Sequence, residues 1–271
     1  MSKKFDTTSL FSSIALTMFV GFLLIQTAGS VLGVSHPPQS LAEKVQDAKS
    51  LLQQGINDWD LAKMQEARDS LLRLHLQANE KNECLLYFLA LTDYRMATYY
   101  MTQGAMEETG VHIAQGKKFL EKSIELKPDW GEPYALYATL LGFEIALKPE
   151  EAMTIAFEIG DYFGEAYAKD PDNPRTYLLK GTSELFTPES YGGGPDVALN
   201  SLETALSCFE KENITDPLQP CWGKDELYTF MGMAYNQKGD AEKAKEYLKK
   251  ALTINPDLGL AKDELEKLKD K

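Results

Sequence analysis

The sequence is poor in the residues that most often build catalytic and metal sites. Only three of its 271 residues are cysteine and three are histidine. His36, His75 and His112 are too far apart for the i, i+4 spacing that places two imidazoles on one helix face for a metal ion. The near matches to a phosphate loop, a nucleophile elbow and a calcium loop each lack a required residue. We therefore expect a non-enzymatic protein with no cofactor and no metal site.

Basic residues are also in the minority. Lysine and arginine number 28 against 41 acidic residues, which gives a formal net charge of −13. Phosphate backbones and anionic membrane surfaces repel such a chain unless it has a local basic patch. The lysines alternate with carboxylates instead, as in Glu242, Lys243 and Glu246, and this pattern is typical of a solvated helix face. We expect no nucleic-acid partner.

The three cysteines are too few for a disulfide scaffold. Cys208 ends a predicted helix and Cys221 lies in the loop that follows, so the two could pair in an oxidising compartment. The alternative is that Cys84, Cys208 and Cys221 are small buried side chains. The sequence leaves both interpretations open.

Residues 1–33 differ from the rest of the chain. A short positive start at Lys3 and Lys4 precedes a largely apolar run over 10–25. This pattern predicts a secretory signal peptide, with small residues available for cleavage at Ala28, Ser30 and Gly33. An uncleaved membrane anchor is the alternative, because residues 7–42 contain no aspartate, glutamate, lysine or arginine. Either way we expect residues 34–39 to be a linker and the remainder to be exported, into the periplasm if the source is a Gram-negative bacterium.

Residues 225–258 contain a regular pattern of large and small side chains. Two helical stretches are separated by Gly239 and Asp240, a pair that ends one helix and caps the next. Small residues such as Gly232 allow two helix backbones to approach closely, and large residues fill the space beside them. The positions that define the pattern are Tyr228, Met231, Gly232, Tyr235, Ala244, Leu248, Ala251 and Pro256. Their spacing predicts a helical hairpin of 34 residues.

This segment resembles the tetratricopeptide repeat, whose unit is a 34-residue helix-turn-helix. One such unit does not bury its apolar faces alone, so neighbouring units are expected. Looser copies of the pattern occur upstream, and residues 259–271 have the spacing of a terminal amphipathic helix. We predict an all-α, tetratricopeptide-like solenoid over residues 40–271. Its repeats are expected at 40–78, 82–128, 131–171, 174–210 and 225–258, followed by a C-terminal capping helix at 259–271.

The chain from about residue 40 resembles the secreted tetratricopeptide proteins of bacterial envelopes. That resemblance implies a protein or peptide partner, bound through the concave surface that the first helices of the repeats form. A second likeness lies at residues 186–206, where a glycine-rich turn precedes a helix. It looks like segments of periplasmic relatives that accompany TRAP-type transporters, so a solute-binding accessory role is the alternative.

Two sets of residues are candidates for binding. The concave positions of the repeats include Phe143 in the third unit, and in the fourth and fifth they include Arg175, Leu178, Thr182, Phe186, Met233 and Asn236. The other set lies in the aromatic and methionine-rich stretch 93–110, which contributes Tyr94, Tyr99 and Tyr100 and which we expect to lead into a long turn reaching residue 115. For both sets the alternative is packing within the solenoid.

Overall fold

The computed structural model describes residues 39–78 and 81–269. The predicted signal peptide or anchor lies outside this part of the chain, as does all of the predicted linker except Gln39. The described residues form eleven α-helices and two short 3-10 helices, with no strand among them. The α-helices are α1 Leu41–Asp58, α2 Leu61–Gln77, α3 Glu83–Thr102, α4 Met106–Leu126, α5 Glu132–Leu147, α6 Ala152–Lys169, α7 Pro174–Phe186, α8 Pro195–Lys211, α9 Lys224–Gln237, α10 Ala241–Ile254 and α11 Gly259–Lys267.

Successive helices pair as five hairpins, from α1 with α2 to α9 with α10, and α11 packs on the last of them. The predicted all-α solenoid of about five repeats with a C-terminal helix is confirmed. Side chains that accept from free backbone N–H groups define several helix starts. Ser40 and Glu43 form a reciprocal capping box at α1, and Asp240 caps α10 as the sequence predicts.

Close helix approach explains two of the repeat glycines. A Cβ atom on Gly232 would lie 2.7 Å from the Leu248 side chain, and one on Gly181 would lie 2.8 Å from that of Leu202. Any larger residue would push the paired helices apart. In the last two hairpins, therefore, a small residue on the first helix packs against a large residue on the second, as the repeat pattern predicts.

The prediction of a long turn at residues 93–115 is wrong. Helix α3 continues to Thr102 and α4 begins at Met106, so only three residues connect them, and Gly104 there has a φ of +72°. Both helices of this hairpin are longer than those of the last repeat, at 20 and 21 residues against 14 and 14. His112, expected in the turn, lies on α4. The aromatic stretch therefore extends a helix, which was the packing interpretation of those residues.

The glycine turn before α8 is a packed structure and not a flexible link. Gly192 and Gly194 have φ values of +84° and +102°, which residues with a Cβ atom rarely adopt. A Cβ on Gly193 would lie 2.2 Å from the carbonyl oxygen of Thr187. Pro195 then begins α8, at the first helical position that proline favours.

The first and last hairpins are in contact. Asn57 at the end of α1 exchanges side-chain hydrogen bonds with Asn255, at 3.3 and 2.9 Å. Helix α11 packs on α1 as well as on α10, with Gly259 against the backbone of Asn57. Ala261 in α11 and Leu268 directly after it are buried, whereas Leu260 is exposed.

All three cysteines are free thiols, so no disulfide joins Cys208 to Cys221. Cys84 and Cys208 are buried, but Cys221 is exposed. The interpretation of three buried thiols is therefore wrong for Cys221. Within the described residues no helix is both long enough and apolar enough to cross a bilayer.

Candidate functional site

Four of the ten predicted binding residues are buried inside the fold, and five more are half-buried. Tyr94, Arg175, Leu178 and Thr182 are buried, and of the predicted set only Phe186 is exposed, at 60%. The remaining members are half-buried, namely Tyr99, Tyr100, Phe143, Met233 and Asn236. Packing between neighbouring helices therefore accounts for many of these residues.

The aromatic candidates pair with one another or with nearby rings. Tyr94 meets Phe143 edge-on with ring centroids 5.6 Å apart, and Tyr99 meets Tyr100 at 5.8 Å. Phe186 packs edge-on against Phe230 at 6.3 Å. These contacts join α3 to α5 and α7 to α9 across the inner side of the solenoid.

Arg175 is the centre of a buried ion-pair cluster. Its Nε donates to Glu132 at 3.0 Å, Nη2 donates to Glu212, and Nη1 donates to the carbonyl oxygen of Trp222 at 3.1 Å. Burial would lower the pKa of this guanidinium, but the two carboxylates outweigh it and raise the pKa. The side chain thus holds α5, α7 and the segment after α8 together, which leaves few of its donors for a ligand.

The segment between α8 and α9, residues 212–223, lies on the inner face that was expected to receive a partner. We call it the strap. Trp222 donates from Nε1 to the Tyr87 hydroxyl at 3.0 Å, and Leu218 and Trp222 pack against the core formed by the first three hairpins. Lys49 on α1 donates to the carbonyl oxygens of Pro217 and Gln219 at 3.2 and 3.0 Å. Part of the concave surface is therefore occupied by the chain itself.

A pocket of about 210 Å³ remains between the strap and the inner helices. Its walls come from α1, α3, the strap and the start of α9. The lining residues are Gln46, Lys49, Ser50, Leu52, Gln53, Ile56, Phe88, Leu91, Arg95, Cys221, Trp222 and Glu226. We call it the Arg95 pocket. None of the ten predicted binding residues lines it.

Arg95 is the most unusual side chain in this pocket. Only 8% of the residue is exposed, and its guanidinium lies 5.0 Å from the ring centroids of both Tyr94 and Trp222. Nη2 donates to Glu226 at 2.6 Å, while Nε has no hydrogen-bond partner among the described residues. A guanidinium carries five N–H donors, and this single bond uses one of them.

The electrostatic balance of the pocket is set by three charges. Lys49 and Arg95 are positive, and Glu226 is negative. Burial raises the pKa of Glu226, and the neighbouring Asp225 adds to this, whereas the ion pair with Arg95 opposes it. Lys49 lies 5.0 Å above the Phe88 ring while it holds the strap. The pocket lining therefore has two basic side chains against one acidic one, in a chain whose formal net charge is −13.

The sequence carries a signal for Arg95 in the charged residues of α3. Asp93 and Arg95 are charged residues inside a continuous apolar stretch of α3, where every residue from Cys84 to Ala97 is buried. A buried charge needs a partner, and both have one: Asp93 binds Arg68 and His112, and Arg95 binds Glu226. No sequence signal identified Trp222 or Cys221 as pocket residues.

Comparison with known proteins supports the fold. The tetratricopeptide repeat family model matches residues 225–258. The anaphase-promoting complex subunit CDC16 of Saccharomyces cerevisiae is 27% identical over 169 residues, which is 62% of this chain and 16% of that protein. The chain thus spans about a sixth of the length of this curated relative.

Two solved structures share the fold over most of both chains. The HusA haemophore from Porphyromonas gingivalis has a TM-score of 0.62 and 21% identity, covering 74% of this chain and 96% of that one. A thermophilic tetratricopeptide protein, TTC0263 of Thermus thermophilus, has a TM-score of 0.54 and 17% identity, covering 81% and 97%. Such folds are generally non-catalytic scaffolds and commonly mediate protein–protein interaction. This chain is therefore an all-α tetratricopeptide-type solenoid whose last repeat matches the tetratricopeptide repeat family.

Proposed function

We propose that this chain is an exported, non-catalytic binding protein that holds a carboxylate-bearing ligand in the Arg95 pocket. The observation that carries the proposal is the Arg95 guanidinium, which lines a pocket and makes one hydrogen bond to a described residue. Buried donors are normally satisfied. A carboxylate accepts two parallel hydrogen bonds from a guanidinium, so it is the ligand group that best uses the remaining donors.

The charges of the pocket favour the same ligand. The chain as a whole repels anions, but Lys49 and Arg95 outnumber Glu226 at this site. A pair of buried charges next to apolar walls acts in a lower dielectric than water, which strengthens its interaction with a third charge. The apolar part of the ligand would contact Leu91, Trp222 and the Phe88 ring.

The size of the pocket limits the ligand. An apolar cavity of roughly 150 Å³ holds a benzene molecule. At about 210 Å³ the Arg95 pocket therefore suits a group of about the size of benzoate. It lies below the ~300–1,000 Å³ typical of sites for larger organic ligands.

Such a carboxylate has two possible sources. One is a protein or peptide partner that inserts its C-terminus or an acidic side chain, in line with the usual role of tetratricopeptide folds. The other is a free solute, which would suit an accessory of a TRAP-type transporter. The HusA haemophore has a similar fold, so this fold serves a small molecule in at least one other protein.

Cys221 offers a direct test of occupancy, because it is an exposed thiol in the pocket wall. The rate at which iodoacetamide alkylates Cys221 is measured with and without benzoate, and with neutral benzamide as the matched control. We expect benzoate to slow the reaction several-fold and benzamide to leave it unchanged. Equal rates in all three conditions would overturn the proposal.

Two variants separate the role of charge from that of shape. Glu226→Gln leaves Arg95 without its counter-ion and should tighten benzoate binding in calorimetry. Arg95→Gln with Glu226→Gln removes both charges and should abolish it, provided that circular dichroism shows the helical signal of the parent. Benzoate binding that is the same in both variants would contradict a guanidinium site.

Peptides distinguish the two sources. A short peptide with an aromatic C-terminal residue is compared with the same peptide carrying a C-terminal amide. Protection of Cys221 by the free-acid peptide would support a protein partner. Protection by benzoate alone would support a free solute.

Export is tested separately. We propose that residues 1–33 direct the chain across the membrane and that cleavage follows. The chain is produced in a Gram-negative host with its own N-terminus, and mass spectrometry of the periplasmic fraction determines the mature N-terminus. Recovery of the intact chain only from the cytoplasm would argue against export.

A further inference from the structure

Helix α6 has an unusual exposed face. Only Ile155, Phe163 and Ala166 of its 18 residues are buried. On the opposite face Met153 and Phe157 are 73% and 71% exposed, which are high values for large apolar side chains. Gly160 and Gly164 continue the same face, since residues 153, 157, 160 and 164 follow the i, i+4, i+7, i+11 spacing of a single helix stripe.

The two glycines have no packing role within the described chain. A Cβ atom on Gly160 or Gly164 would meet no atom within 4 Å. Glycine in a helix interior is less favourable than alanine, so its presence calls for a reason. At Gly181 and Gly232 the reason is the close approach of a leucine from the paired helix. On α6 no side chain of the described chain approaches Gly160 or Gly164 in this way.

The spacing of this stripe is self-complementary. Consider a second α6 that runs antiparallel, related by a two-fold axis that passes between Glu158 and Ile159. Met153 lies as far before that point as Gly164 lies after it, and the same holds for Phe157 and Gly160. Each large side chain of one helix would therefore lie opposite a glycine of the other. This is the large-to-small matching that the chain uses inside its own hairpins.

The charged residues of α6 are compatible with that register. Along the helix axis Asp161 would lie level with Ala156, Glu165 with Ala152 and Glu158 with Ile159, so no carboxylate of one copy is level with a carboxylate of the other. Like charges directly opposite would oppose pairing, whereas these remain at the solvated edge. A two-fold contact uses the same face of both copies, so it gives a closed dimer and not a growing chain of molecules.

We propose that the Met153–Gly164 face of α6 binds a second copy of this chain in an antiparallel, two-fold contact. The proposal is independent of the Arg95 pocket, which is built from α1, α3, the strap and α9. Two large apolar side chains per copy make the contact small, so the dimer should be reversible and concentration-dependent.

The register is tested by disulfide trapping in the full chain. Cys221→Ser removes the exposed native thiol, and Met153→Cys or Gly164→Cys is then introduced into separate chains. Mixing the two under mild oxidation should give the covalent heterodimer in several-fold excess over either homodimer, because residue 153 of one copy faces residue 164 of the other. A statistical mixture, or no covalent product, would overturn the proposal.

Sedimentation velocity tests the contact itself. Filling the gaps with Gly160→Leu and Gly164→Leu should raise the dissociation constant at least tenfold, while the helix keeps its fold because both sites are open. Gly142→Ala is the matched control, since a Cβ there also meets nothing, and it should leave the dimer unchanged. A parent chain that stays monomeric at every concentration would overturn the proposal, whichever other molecule covers the face.

Discussion

Glycine occupies two physically different kinds of position in this chain. Gly193 is enclosed by backbone, whereas Gly142 in the middle of α5 has open space around it. Both residues are glycine, but adding a methyl group should destabilise the fold at Gly193 and stabilise it at Gly142. This difference depends on neighbours and not on local propensity.

We expect Gly193→Ala to destabilise the fold by roughly 1–3 kcal/mol, because its Cβ would collide with the carbonyl oxygen of Thr187. Gly142→Ala should stabilise by about 0.5–1 kcal/mol, since alanine is the better helix former. Urea denaturation of the two variants measures both values. Equal changes in the unfolding free energy would contradict the packed description of the glycine turn.

The three thiols should differ in reactivity. Burial raises the pKa of Cys84 to about 11, and it also raises the pKa of Cys208, so the reactive thiolate is rare at both positions near neutral pH. Cys221 is exposed. With limiting iodoacetamide at about neutral pH, peptide mass spectrometry should find the label on Cys221 well before the other two. Comparable labelling of Cys84 in the native state would show that α3 opens readily.

At the scale of the helices, α3 is the central element of the first part of the solenoid. It is buried on all sides over most of its length and carries Asp93, whose side chain is fully enclosed. Arg68 on α2 donates to it at 2.8 and 3.2 Å, and His112 on α4 lies 2.7 Å away. One carboxylate therefore connects three helices.

Asp93→Ala should cost about 3–5 kcal/mol, because it leaves the Arg68 charge partly buried without its partner. Asp196→Ala is the matched control: it removes the exposed ion pair with Lys238, and such pairs contribute ~0–1 kcal/mol. Chemical denaturation measures both. A small effect at Asp93 would mean that water replaces the carboxylate at this site.

The helical repeats were predictable because their information is local. Tyr228, Gly232 and Leu248 lie within one hairpin, and their spacing alone specifies which faces pack. The lengths of α3 and α4 were not predictable in the same way. Extra residues fit equally into a long turn or into longer helices, and tertiary contacts such as that of Tyr94 with Phe143 on α5 favour the longer helix.

At the scale of the whole molecule, contacts between distant parts of the sequence build the candidate site. Arg95 and Glu226 are separated by 131 residues, and Tyr87 and Trp222 by 135. Lys49 reaches the strap across 170 residues. The pocket exists only where the first hairpins meet the strap and α9.

This long-range ion pair should affect the pH dependence of stability. The folded-state pKa of Glu226 is raised, so its contribution to stability is fully present below the unfolded-state pKa near 4.5 and is lost as pH rises through the folded-state value. The parent is compared with the variant that carries both Arg95→Gln and Glu226→Gln, by urea denaturation from about pH 4 to about pH 8. We expect the unfolding free energy of the parent to fall relative to that of the variant as pH rises. A constant difference would contradict the raised pKa.

The sequence by itself determined the class of fold, the five hairpins with their final helix, and the positions of close helix approach. Those features follow from the local spacing of apolar residues and from residues that cap or break helices, and both act over a short stretch of sequence. The tertiary structure decided that the strap covers part of the inner face, that nine of the ten predicted binding residues are buried or half-buried, and that Arg95 lines a pocket. Small rotations between successive repeats accumulate along a solenoid, so which distant residues meet depends on the assembled whole and not on any single repeat.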